Sequence, residues 1–311
     1  MITYSQAAVI GAVQGVTELF PISSLGHSVL VADWFGGRWE AVSVNKSDRG
    51  ATYLAFVVAL HVATAVALLA FYWRDWLAII AGFASTLRTR RAETVPQRLA
   101  WLIVIATVPV AVLGPLLDRP LHALFDTPVD TSIFLTLNGA VLILGEGLRR
   151  RNEPTLAEYG RRFARREAHG ALLTAERRLP RQADRPLAAL SVLDAIGIGL
   201  TQAGALLTGF SRAGLTMVGG LWRGLENEHA AKFAFLLATP TILGAGLFEV
   251  PELTDSRLAP IRGPILVGAI VSGASSWLAV RFLERHFQTR TLLPFAVYCI
   301  VAGVLSIIRF G

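Results

Sequence analysis

Gln14 and Glu18 lie four residues apart in a segment of helical pattern, so one helix face carries both. Ser23, Ser24 and His27 follow almost at once. Far along the chain, Ser211, Arg212, Gly214 and Thr216 form a second polar group inside apolar sequence. A carboxylate, an imidazole and a guanidinium are costly inside a membrane, and ionisable side chains at that depth mark functional sites by default. The complementarity of Glu18, His27 and Arg212 points to oxyanion chemistry. The plainer reading is a structural ion network, with the serines only capping buried helix ends.

Both groups sit in segments that repeat at one constant offset. Ile10/Ile198, Gly11/Gly199, Gln14/Gln202, Leu19/Leu207, Ser23/Ser211, Gly26/Gly214, Trp34/Trp222 and Gly36/Gly224 are identical pairs, and Ser28/Thr216 keeps a hydroxyl. A duplication accounts for this, and duplicated membrane proteins place binding sites where the repeats meet. Residues 5–20 and 192–207 are short helical patterns. Each is followed by a break, Pro21-Ile22-Ser23-Ser24 or Thr208-Gly209-Phe210-Ser211, and then by another short apolar stretch. Broken helices persist at membrane depth only against protein or an aqueous cavity, because unpaired backbone groups are not tolerated in lipid. Each segment is therefore expected to be a re-entrant helix–loop–helix hairpin. Serine is a favoured N-cap, so Ser23 or Ser24 and Ser211 should open half-helices whose free N–H groups and dipole ends together favour an anion.

The rest of the chain is membrane-like. Its 311 residues are 53% hydrophobic and 16% charged, with a mean hydropathy of +0.53, well beyond a soluble domain of this size. Apolar runs long enough to cross a bilayer lie at Thr52–Trp73, Leu99–Leu117, Ser132–Leu148, Phe233–Phe248, Gly263–Val280 and Leu292–Ile308. The expected fold is all-α: six transmembrane helices plus two re-entrant hairpins. They form an inverted repeat, with repeat one at about 1–148, a basic loop at 149–190 and repeat two at 191–311.

The net charge of +7 does not indicate nucleic acid, since the arginines cluster between spans, in 74–98, 149–185 and 281–290. By the positive-inside rule these loops are cytoplasmic and both termini face outside. Trp73, Trp76 and Trp101 then flank inner span ends, where amphipathic rings settle. Arginines in the 149–190 loop interleave with Tyr159, Phe163, Leu172 and Leu173, which suits a helix lying on anionic lipid headgroups as well as a solvated loop. Cys299, the one cysteine, excludes an intrachain disulfide and is expected to be a packing residue. The N-terminus has no cleavable leader pattern, so the first helix is expected in the mature protein. Small residues in the spans permit close helix contacts, including those of a homodimer.

GAVQGVTELFPISSLGH (Gly11–His27) and TGFSRAGLT (Thr208–Thr216) resemble the two signatures of the bacterial undecaprenyl-diphosphate phosphatases of the bacitracin-resistance type, (E/Q)xxxE and PGxSRSxxT. The resemblance extends over most of the chain, with Gln202 upstream of the second motif and a PFAVY run ending at Tyr298. Thr208, Ala213 and Leu25 depart from the usual Pro, Ser and Thr, and His61 and Cys299 stand where Gln and Arg are expected. The resemblance implies removal of the terminal phosphate from undecaprenyl diphosphate at the outer face of the bacterial cytoplasmic membrane, recycling the lipid carrier of cell-wall synthesis with a divalent cation. It places Gln14 and Glu18 on the first motif's amide and acidic positions. Ser23, Ser24 and His27 fall on the following serines and histidine, and Ser211, Arg212 and Thr216 on the second motif.

For such a substrate, Arg212 offers a planar fork to two phosphate oxygens. N–H groups after Ser23 and Ser211, near Gly26 and Gly214, add neutral donors. Glu18 with Gln14 could hold Mg²⁺ or Ca²⁺ against the phosphates. His27 is a candidate nucleophile or proton donor and Ser24 the rival nucleophile; His61 in the adjacent span adds a third imidazole-type possibility, set against a place in the core or cavity lining. Two alternatives belong to other classes: a transporter of a polyprenyl phosphate, and a noncatalytic paralogue that binds lipid phosphate.

Overall fold

The structure is a computed structural model in which residues 2–37, 39, 50–125, 127–151, 187, 190–253 and 256–311 are described. The basic loop beyond Arg151, including its expected surface helix, lies outside them. The described residues form α1 (Tyr4–Thr17), α2 (Ser24–Phe35), α3 (Gly50–Phe71), α4 (Trp73–Thr89), α5 (Val95–Leu124) and α6 (Pro128–Arg151). The second half holds α7 (Val192–Ala203), α8 (Arg212–Trp222), α9 (Asn227–Leu253), α10 (Arg262–Phe287) and α11 (Leu293–Phe310).

Among the described residues, Val95–Leu117, Pro128–Arg151, Leu258–Phe287 and Leu293–Phe310 are long and apolar enough to cross a membrane. They contain four of the six expected spans. The expected span at 52–73 falls on α3, an apolar helix of 22 residues, and α4 follows it across an 86° bend. The one at 233–248 falls within α9. An apolar core is present, and large apolar side chains also cover the exterior while a polar cluster is buried. Leu266, Ile270, Leu278, Val301 and Ile308 face outward, whereas Gln14, Glu18, Ser24, His27, Asn138 and Gln202 are buried. Such an apolar exterior is what a lipid environment selects, and this is a multi-pass membrane protein.

The short helices α1 and α7 end early because turns at 18–22 and 204–209 interrupt them. Each opens with a capping box, Thr3 with Gln6 and Ser191 with Asp194. Each then packs against a long helix from the other half of the chain, α1 on α10 and α7 on α5. The repeated glycines make this possible. A Cβ on Gly11 would lie 2.4 Å from the Gly268 carbonyl oxygen, and one on Gly199 would lie 2.3 Å from that of Ala106. Small residues thus serve contacts within the chain. α6 runs beside α11, and α3 beside α9 and α10.

One end of the bundle gathers the basic segments. Buried Glu146 pairs with Arg149 at 2.8 Å and accepts from Asn227 Nδ2 and the Leu292 N–H, each at 3.4 Å. Asn227 also donates to the Arg290 carbonyl at 3.2 Å, and Lys232 pairs with Asp75 at 2.8 Å. The basic ends of α6 and α10 and the elbow before α4 therefore share one side.

Candidate active site

The two hairpin loops meet at Asn138, a fully buried residue of α6. Its Nδ2 donates to the Pro21 carbonyl of the first loop at 2.9 Å, and its Oδ1 accepts from the Ser211 N–H of the second at 3.0 Å. Ser211 Oγ lies 3.4 Å from the Phe20 carbonyl, and a Cβ on Gly26 would be 3.2 Å from Gly209 Cα. Gly209 takes φ +118°, and a side chain there would meet the Thr131 carbonyl oxygen at 2.4 Å. Only glycine fits so sharp a turn against α6.

Both expected N-caps are present, with the first assigned to Ser23. Ser23 Oγ accepts from the Gly26 N–H at 3.2 Å and Ser211 Oγ from the Gly214 N–H at 3.1 Å. Ser23 does this at φ 70°, ψ 106°, left of the usual region for a residue with a side chain. Backbone strain of this kind, roughly 1–3 kcal/mol, collects at functional sites. Ser24 is then the first residue of α2.

Glu18, just past the end of α1, is the hub. One carboxylate oxygen is paired with Arg212 from α8, bringing together the acid of one repeat and the base of the other. The other accepts from Ser24 Oγ at 2.5 Å and from Gln14 Nε2 at 3.1 Å. His61 Nε2 lies 3.3 Å from the same oxygen and 3.0 Å from Gln14 Nε2, while its Nδ1 faces the Val57 carbonyl at 2.9 Å. His61 is therefore part of the hub. Sequence reading set an imidazole role against core or cavity lining there, because α3 carries it, far from either motif.

A cavity of about 160 Å³ opens beside this hub. It is lined by Glu18, Ser23, Ser24, Gln202, Ser211 and Arg212 together with Leu25, Val110, Ala205, Leu206, Thr208 and Phe210. A water needs only ~10–15 Å³ by this measure, so a phosphate group with waters has room. Among the described residues Arg212 is the only cation in the lining, and two helix starts, α2 and α8, begin at its wall.

Gln14, His27, Gly214 and Thr216 lie outside the lining. Thr216 is buried on α8. His27 has both ring nitrogens engaged: Nδ1 is 2.6 Å from the Ser23 carbonyl oxygen and Nε2 is 2.7 Å from the Tyr298 hydroxyl, with the two rings stacked. Cys299 is buried, with Sγ 3.4 Å from Asn138 Nδ2, as packing requires.

Only Glu18 supplies a carboxylate to the lining, and no group of three or more His, Cys, Asp or Glu among the described residues could hold a metal ion. This is no preformed metal cage. The donors fit a hard cation that takes its other ligands from a substrate's phosphates and water. Gln14 Nε2 donates to the Glu18 carboxylate, so its amide oxygen would reach such a cation only after that hydrogen bond is given up.

Taken together, these features define a helical membrane protein with a polar pocket of Glu, Ser and Arg within the bundle. The chain belongs to the family described as bacitracin resistance protein BacA, whose pattern matches residues 7–305. It is similar to an undecaprenyl-diphosphatase of Mycolicibacterium paratuberculosis, 50% identical over 99% of this chain and 97% of the relative. It also resembles undecaprenyl-diphosphatase 2 of Frankia alni, 47% identical over 100% of this chain and 98% of the relative. A third relative, undecaprenyl-diphosphatase 2 of Chromobacterium violaceum, is 37% identical over 97% of both chains.

Proposed function

We propose that this chain hydrolyses undecaprenyl diphosphate to undecaprenyl phosphate and inorganic phosphate, with Ser24 as nucleophile. One observation carries the assignment of roles: Ser24 Oγ donates to Glu18 at 2.5 Å while Arg212 sits on the other oxygen of that carboxylate, all three lining one cavity. Membership of the family and the names of its relatives supply the substrate.

When the diphosphate enters, Arg212 transfers its fork from Glu18 to the phosphate oxygens, where planar bidentate geometry suits it. The N–H groups at the starts of α2 and α8 face the same charge. Glu18 takes the proton of Ser24 Oγ, and Oγ attacks the terminal phosphorus. The bond from that phosphorus to the bridging oxygen breaks, and undecaprenyl phosphate leaves with the electron pair. Water then attacks the phosphoserine phosphorus and leaves with it as inorganic phosphate carrying both water protons, while Ser24 Oγ takes back the proton held by Glu18. Catalysis of this kind rests on positioning and charge stabilisation. A divalent cation bound to Glu18, Gln14 and the phosphates would neutralise part of the diphosphate charge. His27 acts behind the wall, pinning the Ser23 carbonyl and thereby the strained turn that aims Ser24.

The arrangement is read as an inverted repeat of six spans and two re-entrant hairpins, supported by the reciprocal packing of α1 on α10 and α7 on α5. With the basic end cytoplasmic, the first hairpin enters from outside and the reaction faces the outer side of the cytoplasmic membrane. Phosphate release by the purified protein tests the activity. Brief exposure of the parent to labelled substrate should trap an acid-stable phosphoenzyme, and Ser24→Ala should abolish both this and turnover, whereas a fully active Ser24→Ala protein removes Ser24 as nucleophile. Loss of turnover on chelation, restored by Mg²⁺ or Ca²⁺, tests the cation.

A further inference from the structure

Gln202 is 1% exposed, and neither its amide nitrogen nor its amide oxygen has a hydrogen-bond partner among the described residues. It lines the cavity that holds Glu18, Ser24 and Arg212. Its counterpart in the first repeat, Gln14, spends the same amide on Glu18 and His61. The duplication has thus left one glutamine satisfied by protein and the other unsatisfied at the wall of an anion pocket. A buried amide without partners costs stability, and a leucine of similar volume would avoid that cost. A group kept in this state at a pocket wall is one that a ligand completes.

We propose that Gln202 is a substrate-binding residue whose Nε2 donates to a phosphate oxygen of the lipid diphosphate. The inference rests on the phosphatase reading above. Arg212 is the only cation in the lining among the described residues, and a single guanidinium fork leaves the diphosphate free to pivot about it. A second donor, from the end of α7, fixes which phosphorus faces Ser24. Being neutral, the amide adds this constraint without adding charge that would retain the phosphate product. Its oxygen is left to accept from a water beside the phosphate, since phosphate oxygens offer it no proton.

The purified full chain, Gln202→Leu and Gln202→Glu are compared by KM for undecaprenyl diphosphate, by inhibition with inorganic pyrophosphate and by thermal unfolding without ligand. Gln202→Leu should unfold at or above the parent temperature, with KM and the pyrophosphate inhibition constant both raised about tenfold. Gln202→Glu, similar in shape but negative, should weaken both further. A structural amide would instead lower the unfolding temperature of the leucine variant and leave both constants alone. Parent-like KM and inhibition in Gln202→Leu overturn the proposal. Should the leucine protein not fold, parent-like constants in Gln202→Glu overturn it equally. If the parent itself releases no phosphate, the phosphatase reading fails, and stabilisation of parent against Gln202→Leu by pyrophosphate still decides the role of Gln202: equal stabilisation refutes it.

Discussion

Arg212 of the second hairpin is ion-paired with Glu18 of the first, so each half of the duplicated chain supplies one charge to a site that neither half could build alone. At the equivalent repeat positions, Arg212 faces Ser24 and Glu18 faces Leu206. The repeats have therefore diverged into complementary roles around a shared backbone.

If Arg212 clamps phosphate bidentately, Arg212→Lys keeps the charge and loses the fork. Loss of one such transition-state contact costs about 3 kcal/mol, on the order of a hundredfold in kcat/KM. The lysine variant should fold with near-parent thermal stability, because it can still pair with Glu18. Turnover close to the parent rate would refute the clamp, and failure to fold would make Arg212 a structural partner first.

Asn138 is predicted to govern both loops at once. Asn138→Leu leaves the Ser211 N–H and the Pro21 carbonyl buried without their side-chain partner, at about 1–3 kcal/mol for each group so stranded. Thermal unfolding of the detergent-solubilised protein should fall clearly, and phosphate release should fall with it as the loops separate. Asn138→Asp, which keeps only the acceptor to Ser211, should lie between. Unchanged stability in Asn138→Leu would show that the loops hold each other without α6.

The sequence made the hairpins, the N-caps and the polar hub legible because each rests on local pattern: Gln14 and Glu18 at helical spacing, Ser23 and Ser211 before a new helix, and identical pairs at a fixed offset. Asn138 and Gln202 were not legible as site residues, since their roles depend on which helices lie against the loops, and His61 was legible only as an imidazole weighed against core or cavity lining. His27 shows the opposite case. Its type and spacing advertise a reacting group, yet its ring lies between the Ser23 carbonyl and Tyr298, outside the cavity lining. The apolar run at 52–73 ends where the chain turns by 86° into α4, a change of direction that hydropathy does not register.

Gly11 and Gly199 are repeat partners with the same geometric task, so their alanine variants should behave alike. In each, the new Cβ would fall under 2.5 Å from a carbonyl oxygen of the opposing helix, and backbone must shift to admit it. Overpacking of this sort typically costs about 1–3 kcal/mol. Both Gly11→Ala and Gly199→Ala should lower the unfolding temperature, while Gly147→Ala, with open space at that position, should not. A loss confined to one of the two would contradict the reciprocal packing on which the inverted-repeat reading rests.

The membrane face of the reaction follows from where the basic ends lie. Arg149 to Arg151 close α6, and Glu146 ties that end to the start of α9 and to Leu292 before α11. On the proposed topology, with the lysine- and arginine-rich ends cytoplasmic, the α10–α11 turn lies inside and the chain between α2 and α3 outside. In a Cys299→Ser background, whose parent thiol is buried, Ser47→Cys should react with an impermeant maleimide in intact cells. Thr289→Cys, exposed in the α10–α11 turn, should react only after the membrane is opened. Reversed labelling would turn the protein over and move phosphate release to the cytoplasmic face, leaving the chemistry of Glu18, Ser24 and Arg212 unaffected.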